Sequence, residues 1–334
     1  MKKIKFSKPL NDILNIKSDF FNNNQFYLKQ ANNWNKFYSK QPKRVNCKNC
    51  NSKLGLPIFK SHFANYTVCN SCNHFNGLNE DTNKFNNFLY KNNRGEKFSK
   101  FYIKNYKSRV KNIYLPKLKF LIEVIKKPKT ILDLGCGAGH FIKACEIKSI
   151  NAIGYDVSKS MVRFGNKILN KNKIYNFGIN DIYGHVLNST QETISILGVI
   201  EHIKYPGKIF KNFRNSNAKY LYISVPLFSF SVFLEHAFQD LFPRILGGVH
   251  NHLYTEKSLK YIINKNKLKI IGEWWFGSDM MDLMRFMKVK SKPSDFMKFN
   301  KHFDHYFLSA IDSFQNILDK RKICGEVHMV LKKL

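Results

Sequence analysis

Short apolar runs alternate with amphipathic segments from Lys129 onward, which is the pattern of βαβ units on a parallel sheet. After the fifth run, a Phe-rich stretch interrupts the alternation before it resumes with a helix at 256–264, a strand at 268–275 and a final strand at 326–331. The first five predicted strands are 130–134, 152–155, 174–177, 193–197 and 220–225, and the helices between them are 140–147, 159–169 and 203–213.

The front of the chain has a different character. Residues 1–44 are rich in Asn and Lys with no sustained period, so we predict an extension whose order the pattern does not fix. Residues 45–83 contain closely spaced cysteines and predict a small module, and residues 84–128 have helix-like apolar spacing that predicts a connector. The main domain is then 129–334, with a lid insertion at about 227–255.

Four cysteines form two Cys-x-x-Cys pairs, Cys47 with Cys50 and Cys69 with Cys72. Each pair places two thiols on one tight turn, and the 18 residues between the pairs can form a hairpin that brings the turns together. This spacing predicts a structural zinc ribbon with no open coordination position. An iron site, a redox dithiol, or replacement of one thiol by His62 or His74 remain alternatives.

A glycine-rich turn follows the first strand of the main domain. Gly135, Gly137 and Gly139 allow positive φ and close approach of a ligand, and the helix that follows offers free N–H groups to an anionic group. The spacing G-x-G-x-G differs from the dinucleotide pattern G-x-G-x-x-G. Asp133 directly precedes the turn, and Asp156 ends the second strand, where it would accept hydrogen bonds from a ribose diol. The alternative for Asp156 is a helix N-cap beside Ser158.

These residues resemble the class I S-adenosylmethionine (SAM)-dependent methyltransferases over residues 129–334. The resemblance implies a Rossmann-like α/β fold whose seven-stranded sheet has its last strand antiparallel, with SAM over the carboxyl ends of the strands. The glycine turn would hold the methionine part of SAM, and Asp156 its ribose. Further segments that carry the resemblance are Asn180-Asp181, the 197–203 sequence LGVIEHI, the 224–226 sequence SVP and the 252–259 sequence HLYTEKSL. The cofactor-binding positions that it implies are Asp133, Gly135, Gly137, Gly139, Asp156, Asp181 and Gly198.

Methyl transfer to a hydroxyl or carbon acceptor also requires loss of a proton, and the candidates for this step are Glu201, His202 and His252, with His250 beside them. In ubiquinone-pathway O-methyltransferases and small-RNA 3′-end methyltransferases, a Glu-x-x-Glu-His motif binds a divalent cation. This chain has Gly198 at the first Glu position, so the sequence does not predict a complete cation site. A hydrogen-bonded corner at Glu201 and His202, and helix capping by His250 or His252 near Thr255, are the structural alternatives.

The Phe-rich insertion lies where this family commonly builds acceptor pockets, and a buried helix pair is the alternative. A zinc ribbon ahead of the SAM domain resembles certain sugar C-methyltransferases and other glycan-cluster methyltransferases. Some ribosomal-RNA methyltransferases also carry an N-terminal zinc module. We therefore predict a methyltransferase acting on a small-molecule or glycan-type acceptor such as a nucleotide-activated sugar. The alternatives are an RNA methyltransferase and a non-catalytic SAM-fold binding protein.

Composition narrows these classes only slightly. With 43% hydrophobic residues, the chain of 334 residues is a folded protein, not a disordered one. Its 56 basic and 23 acidic residues give a net charge of +33, which favours polyanionic partners. The excess is mostly Lys, runs along the whole chain and accompanies frequent Asn, Ile and Phe, so A/T-rich coding explains most of it, and a nucleic-acid partner is not favoured.

The location is predicted from the chain start and the cysteines. Pro9, Asn11 and Asp12 interrupt the apolar positions near the start, so no secretory signal is expected. The apolar stretch 221–234 is too short to span a bilayer. An odd count of seven cysteines favours reduced thiols and a cytoplasmic location.

Overall fold

The computed structural model describes residues 2–10, 14, 23–91, 105–248, 250–291, 302–303 and 305–334. Residues 92–104 of the predicted connector, and 11–13 and 15–22 of the predicted extension, lie outside the described residues. In the described part of the chain, the strands form one eight-stranded sheet and one four-stranded sheet.

The large sheet contains the strands that the alternating pattern predicts. Its members are β1 (Lys3–Phe6), β5 (Thr130–Leu134), β6 (Asn151–Asp156), β7 (Ile174–Asn176), β8 (Thr193–Leu197), β9 (Tyr220–Pro226), β11 (Leu268–Phe276) and β12 (Glu326–Lys333). They run in the order β1-β11-β12-β9-β8-β5-β6-β7. Chain direction reverses only at β12, which is antiparallel to both β9 and β11. The predicted seven-stranded sheet with an antiparallel last strand is therefore confirmed.

Helices lie on both faces of this sheet, as the alternating pattern requires, and further helices pack in the cysteine module and the insertion. Their bounds are α1 (Asn24–Ser39), α2 (Asn83–Lys91), α3 (Tyr106–Arg109), α4 (Leu115–Ile125), α5 (His140–Ile147), α6 (Lys159–Leu169), α7 (Ile182–Leu187), α8 (Pro206–Asn215), α9 (Phe230–Ala237), α10 (Glu256–Lys265), α11 (Asp279–Lys290) and α12 (Ile311–Lys320). A π-helical turn, Val110–Tyr114, joins α3 to α4. One apolar core lies between the sheet and α7, α8 and α10, and a second lies between the sheet and α4, α5 and α6.

Two elements differ from the sequence expectation. The predicted helix 203–213 begins at Pro206 because the 3-10 turn Ile200–His202 ends in the extended residue Ile203, and Pro206 is suited to the first helical turn. The predicted extension 1–44 contributes an eighth strand, β1, which pairs in parallel with β11, and the helix α1. The spacing of apolar and polar residues did not reveal β1, because this strand is only four residues long.

The small sheet joins the cysteine module to the main domain. It consists of β2 (Phe59–Ser61), β3 (Ala64–Val68), β4 (Phe75–Gly77) and β10 (His252–Leu253), in the order β10-β4-β3-β2. The first three strands belong to the module, whereas β10 belongs to the insertion after β9 and pairs antiparallel with β4. The two regions therefore share backbone hydrogen bonds.

Aromatic side chains fill the space between the insertion and the module. The Phe228 ring of the insertion stacks on Phe75 of β4 with centroids 4.7 Å apart, and Phe59 meets Phe228 edge-on. One apolar cluster contains Trp34 of α1, Phe75 of β4 and Val232 of α9. Phe228 and Phe233 of the insertion thus pack against the module, whereas Phe230 and Phe238 pack in a separate cluster with Phe286 of α11.

Candidate functional site

The glycine turn lies at the carboxyl end of β5, where the strand order changes direction between β5 and β8. Gly135, Gly137 and Gly139 all have positive φ, at 76°, 55° and 73°. A Cβ at Gly135 would collide with Val199, which follows β8, whereas a Cβ at Gly137 would meet nothing within 4 Å. Gly135 thus allows close packing of two strand ends, and Gly137 leaves open space above the turn. Crevices at such switch points are where open α/β sheets bind ligands.

Asp156 at the end of β6 is hydrogen-bonded to the glycine turn. Its Oδ2 accepts a hydrogen bond from the Gly137 N–H at 2.8 Å, and its Oδ1 accepts one from the Ser158 N–H at 2.8 Å. Burial raises the pKa of Asp156, and these two N–H donors oppose that rise. The side-chain cap of α6 is Ser158, whose Oγ accepts from the Met161 N–H. Asp156 therefore fixes the turn and lies where a ligand crossing from β5 to β6 would meet it.

Asp133 lies beneath the turn, inside the sheet. Its Oδ1 accepts a hydrogen bond from the Ser195 hydroxyl of β8 at 2.6 Å, and the side chain is buried. Burial raises the pKa of Asp133 to about 7, the Ser195 hydrogen bond opposes the rise, and the nearby Asp156 adds to it. The protonation of this carboxyl group is therefore sensitive to a cation bound above the turn.

Asp181 ends the 3-10 turn Ile179–Asp181 beyond β7. Its side chain is exposed, and Oδ2 accepts a hydrogen bond from the Gly178 N–H at 2.8 Å. A cavity of about 620 Å³ opens beside it, with Tyr155 of β6 and His185 of α7 in its walls. The cavity also borders Leu132 of β5 and residues 188–191, which lead into β8, so Asp181 lines a space along the face of β5 and β6.

Glu201 lies in the turn that follows β8. Gly198, with φ of 67°, begins this turn, and a Cβ there would lie 3.7 Å from Glu201 Oε1. The Glu201 side chain is buried, and its Oε2 has no hydrogen-bond partner among the described residues. Burial raises the pKa of Glu201 to about 8. The His202 Nε2 lies 3.8 Å from Glu201 Oε1.

His250, from the insertion, completes a group with these two residues. Its ring lies 5.3 Å from that of His202, centroid to centroid. One ligand atom from each of Glu201, His202 and His250 lies within 4.8 Å of the others. The sequence named each of these residues singly, and the fold brings them together because the insertion returns to the end of β8.

His252 is placed differently from the other candidates. It is buried in β10, and its Nδ1 lies 2.8 Å from Nε2 of His74 in the module. Burial lowers the pKa of His252 well below its usual value. Its Nε2 has no hydrogen-bond partner among the described residues, and neither has the buried hydroxyl of Tyr254. His252 does not cap α10, whose N-cap is Thr255.

A further polar chain at this edge escaped the sequence analysis. The Tyr222 hydroxyl and His328 Nδ1 form a hydrogen bond of 2.8 Å, whose direction depends on the histidine tautomer. His328 Nε2 lies 2.8 Å from Glu326 Oε1. Lys117 of α4 lies 3.3 Å from the same oxygen. The alternation of Glu326 and His328 along β12 was the available signal, but their position depends on pairing Glu326 with Pro226 at the carboxyl end of β9.

The four cysteines of the two pairs come together in the module. Sγ of Cys47 lies 3.7 Å from that of Cys72, and Sγ of Cys50 lies 3.5 Å from that of Cys69. Four thiolates around zinc at about 2.3 Å would be about 3.8 Å apart, so the donor set and spacing fit a tetrahedral zinc ion. All four sulfur atoms lie within 4.8 Å of one another.

The two histidines considered as alternative zinc ligands have other partners. His62 is hydrogen-bonded to Ser61 Oγ and to the Leu241 carbonyl. His74 is hydrogen-bonded to His252. Because the four thiols already form the cluster, the arrangement is consistent with a structural zinc ribbon whose ligands are all cysteines.

A comparison with known protein families gives a result that agrees with the glycine turn and with the order of strands in the large sheet. The family model described as a methyltransferase domain matches residues 106–272, half of the chain. The chain belongs to this methyltransferase family. It is a class I SAM-dependent methyltransferase, and its cofactor is SAM. A comparison with curated proteins found no match.

Several solved methyltransferases are similar to this one in structure. A SAM-dependent methyltransferase from Archaeoglobus fulgidus is 17% identical, with 71% of this chain and 100% of that chain covered and a TM-score of 0.45. Magnesium protoporphyrin IX methyltransferase from Synechocystis PCC 6803, solved with bound S-adenosylhomocysteine (SAH), is 11% identical. The match covers 74% of this chain and 100% of that chain, with a TM-score of 0.45. An O-methyltransferase of a Brevibacillus brevis polyketide synthase is 16% identical. The match covers 70% of this chain and 76% of that chain, with a TM-score of 0.40.

The helices of the methyltransferase are short or amphipathic. Among the residues that the structure describes, no helix combines the length and the apolar character needed to cross a bilayer.

Proposed function

We propose that this methyltransferase binds SAM across the glycine turn and transfers its methyl group to a hydroxyl-rich small molecule or glycan-type acceptor, such as a nucleotide-activated sugar. SAM, when bound, supplies an electrophilic methyl group on a positively charged sulfur. The backbone of Gly135, Gly137 and Gly139 holds its methionine part, with Asp133 beneath them. Asp156 accepts hydrogen bonds from the ribose hydroxyls, a charge-assisted contact.

The adenine would lie on the far side of Asp156. Asp181 stands at the rim of the cavity that adjoins β6, and aromatic side chains line that cavity. Tyr155 and His185 have ring centroids 4.0 Å apart there. The rings of Tyr155 and His185 suit the face of a purine base, and the polar side chains that also line the cavity, such as Asn188 and Gln191, offer hydrogen bonds to its edge. Gly198, at the end of β8, would contact SAM through its backbone, on the side of the acceptor.

The acceptor class rests on one observation, a set of buried polar atoms without partners near the end of β8. Glu201 Oε2, His252 Nε2 and the Tyr254 hydroxyl are buried and lack hydrogen-bond partners among the described residues. A buried polar atom without a partner costs about 1 to 3 kcal/mol. An acceptor with several hydroxyl groups would satisfy such atoms, whereas an apolar acceptor would leave them unpaired. This supports a sugar-like acceptor.

Glu201, His202 and His252 are the residues that we assign to proton removal and acceptor positioning. Glu201 and His202 lie in the turn that follows β8. Val199 of the same turn lies against Gly135, so both residues are close to the glycine turn, where we propose that SAM binds. His252 lies deeper, against the module. We assign the first two to contact with the acceptor, and His252 to holding the acceptor wall.

An RNA acceptor is the second candidate because the net charge of +33 favours polyanions. A non-catalytic SAM-binding role is the third. Transfer from methyl-labelled SAM distinguishes the three when nucleotide sugars, glycans and RNA are offered separately. We expect label in the sugar fraction, and much less of it with Asp156→Ala at the same SAM concentration. Label in RNA alone would replace the sugar proposal, and SAM binding without transfer to any fraction would support the non-catalytic role.

We also propose a cytoplasmic location, because the zinc-ligand thiols and the other cysteines are unpaired in the structure. Fractionation of cells that express a tagged chain would test it, and recovery outside the cytoplasm would contradict it.

A further inference from the structure

We infer that the zinc ribbon carries a docking surface for an anionic lipid bilayer. The surface, here called the apolar loop, consists of residues 54–58 with Val45 beside them. Leu56 is 84% exposed, Ile58 is 67% exposed and Val45 is 60% exposed. Exposed apolar side chains that lie together on a protein surface mark an interaction site. This inference goes beyond methyl transfer and does not depend on the identity of the acceptor.

Backbone hydrogen bonds fix both ends of the apolar loop. At its start, the Leu54 N–H donates to the Val45 carbonyl at 2.9 Å, so these two residues are neighbours. At its end, the Ile58 N–H donates to the Tyr66 carbonyl of β3 at 3.0 Å. The loop is therefore a short, held excursion that leads into β2.

The cysteine cluster anchors the loop from beneath. Leu54 packs against the cysteines, so its side chain faces the zinc site while the next residues run outward. A Cβ at Gly55 would meet nothing within 4 Å, and Pro57 is exposed. With Leu54 held in this way, Leu56 and Ile58 project into solvent as an apolar tip.

The charge around the apolar loop is positive. From residue 20 to residue 79 the sequence contains no Asp or Glu. Exposed lysines flank the loop on both sides in the chain, namely Lys40, Lys43, Lys53 and Lys60. The next acids, Glu80 and Asp81, both pair with Arg44, which balances their charge locally. An apolar tip flanked by lysines is complementary to a surface that is negative outside and apolar beneath.

An anionic bilayer has both of these properties. Lysines attract its headgroups, and an apolar tip enters the boundary between headgroups and acyl chains. A folded protein partner would need a matching cavity for the projecting tip, whereas lipids rearrange around it. Anionic lipids are concentrated in the cytoplasmic leaflet, so this surface agrees with the proposed cytoplasmic location.

Sedimentation with sucrose-loaded vesicles tests the surface. Zinc-loaded, full-length protein is mixed with vesicles of phosphatidylcholine alone, or of phosphatidylcholine with about 30% phosphatidylglycerol to supply negative charge. We expect binding to the anionic vesicles. Binding should be at least about tenfold weaker to the neutral vesicles, and also in about 0.5 M salt, because salt screens the lysines.

A double variant separates the apolar tip from the general positive charge. Leu56→Ser combined with Ile58→Ser should weaken binding to anionic vesicles at least about tenfold, because two apolar side chains no longer leave water on binding. Ile317→Ser, at an exposed isoleucine of α12, is the matched control and should bind like the wild type. Zinc content and SAH affinity equal to those of the wild type show that each variant is folded.

A tryptophan at the tip reports insertion directly. The native tryptophans are buried, namely Trp34, Trp274 and Trp275. The emission of Leu56→Trp should therefore shift to the blue when anionic vesicles are added, and brominated lipid should quench it. Ile317→Trp should not respond.

Two results with vesicles would overturn the docking surface. They are unchanged binding by the folded double variant, and no response of the tip tryptophan while the protein binds. Absence of binding to anionic vesicles would also overturn it, and a dimer that the double variant loses would then identify the loop as a contact between two copies of the chain. Methyl transfer to a soluble acceptor is measured separately, so its failure would contradict the proposed function and leave this surface untouched.

Discussion

His74 of the zinc ribbon and His252 of the insertion share a buried hydrogen bond, Nε2 to Nδ1, at 2.8 Å. The two residues are 178 positions apart in the chain. Their contact lies beside the paired strands β10 and β4. Through this pair, the small sheet of the zinc ribbon continues into the main domain. The ribbon thus supports the insertion that carries His250.

Replacing His252 tests whether this contact holds the ribbon in place. His252→Ala leaves the buried Nε2 of His74 without its partner, so we expect the free energy of unfolding to fall by about 1 to 3 kcal/mol. Denaturant unfolding measures the change. His305→Ala, at an exposed histidine, is the matched control and should change little. Equal stabilities for the two variants would show that the contact contributes nothing.

Removing one thiol tests the zinc ribbon. Cys69→Ser should release the zinc and loosen the ribbon, because a structural zinc site stabilises its own fold. SAM affinity should remain close to that of the wild type, since the glycine turn lies on the other sheet. Metal analysis and SAM titration measure both effects, with Cys324→Ser as a control outside the cluster. A wild-type protein without zinc would refute the ribbon.

Asp156 provides the test of the ribose position. Asp156→Ala removes charge-assisted hydrogen bonds and also frees the Gly137 N–H, so SAM affinity should fall by about 1 to 3 kcal/mol, or roughly 5- to 150-fold. Calorimetric titration measures it. Asp240→Ala, a surface carboxylate paired with Lys290, should bind SAM normally. If Asp156→Ala binds as tightly as this control, the ribose lies elsewhere.

Asp133 predicts a pH dependence of SAM binding. Its pKa is about 7 without ligand, and the positive sulfonium above it should lower that value. Binding then releases a proton below pH 7, so SAM affinity should rise with pH, by at most about tenfold per unit, and level off above about pH 7. SAH, whose sulfur is neutral, should show a flatter profile.

The Asp133→Asn variant isolates this effect. Asparagine keeps an oxygen that accepts from the Ser195 hydroxyl but does not titrate. The difference between the SAM and SAH profiles should therefore shrink in the variant. An unchanged difference would assign the pH dependence to another group.

Local patterns were sufficient for much of the fold. The predicted strand 130–134 and the predicted helices 140–147 and 159–169 match the observed bounds. They could be predicted because regular spacing of apolar residues and the glycines of the turn define them. The strand β10 could not be predicted, since it has two residues and forms only against β4 of the ribbon. The sequence likewise could not show that His250 approaches Glu201, because that distance depends on how the insertion folds back. The assignments of Asp156 and Asp181 to SAM stay predictions.

The central claim is that SAM lies over the glycine turn with its ribose at Asp156. A crystal structure of the protein soaked with SAH measures this directly. The account predicts the ribose hydroxyls within hydrogen-bond distance of the Asp156 carboxylate and the sulfur facing the turn that contains Glu201. SAH found elsewhere on the molecule, with the glycine turn unoccupied, would contradict it.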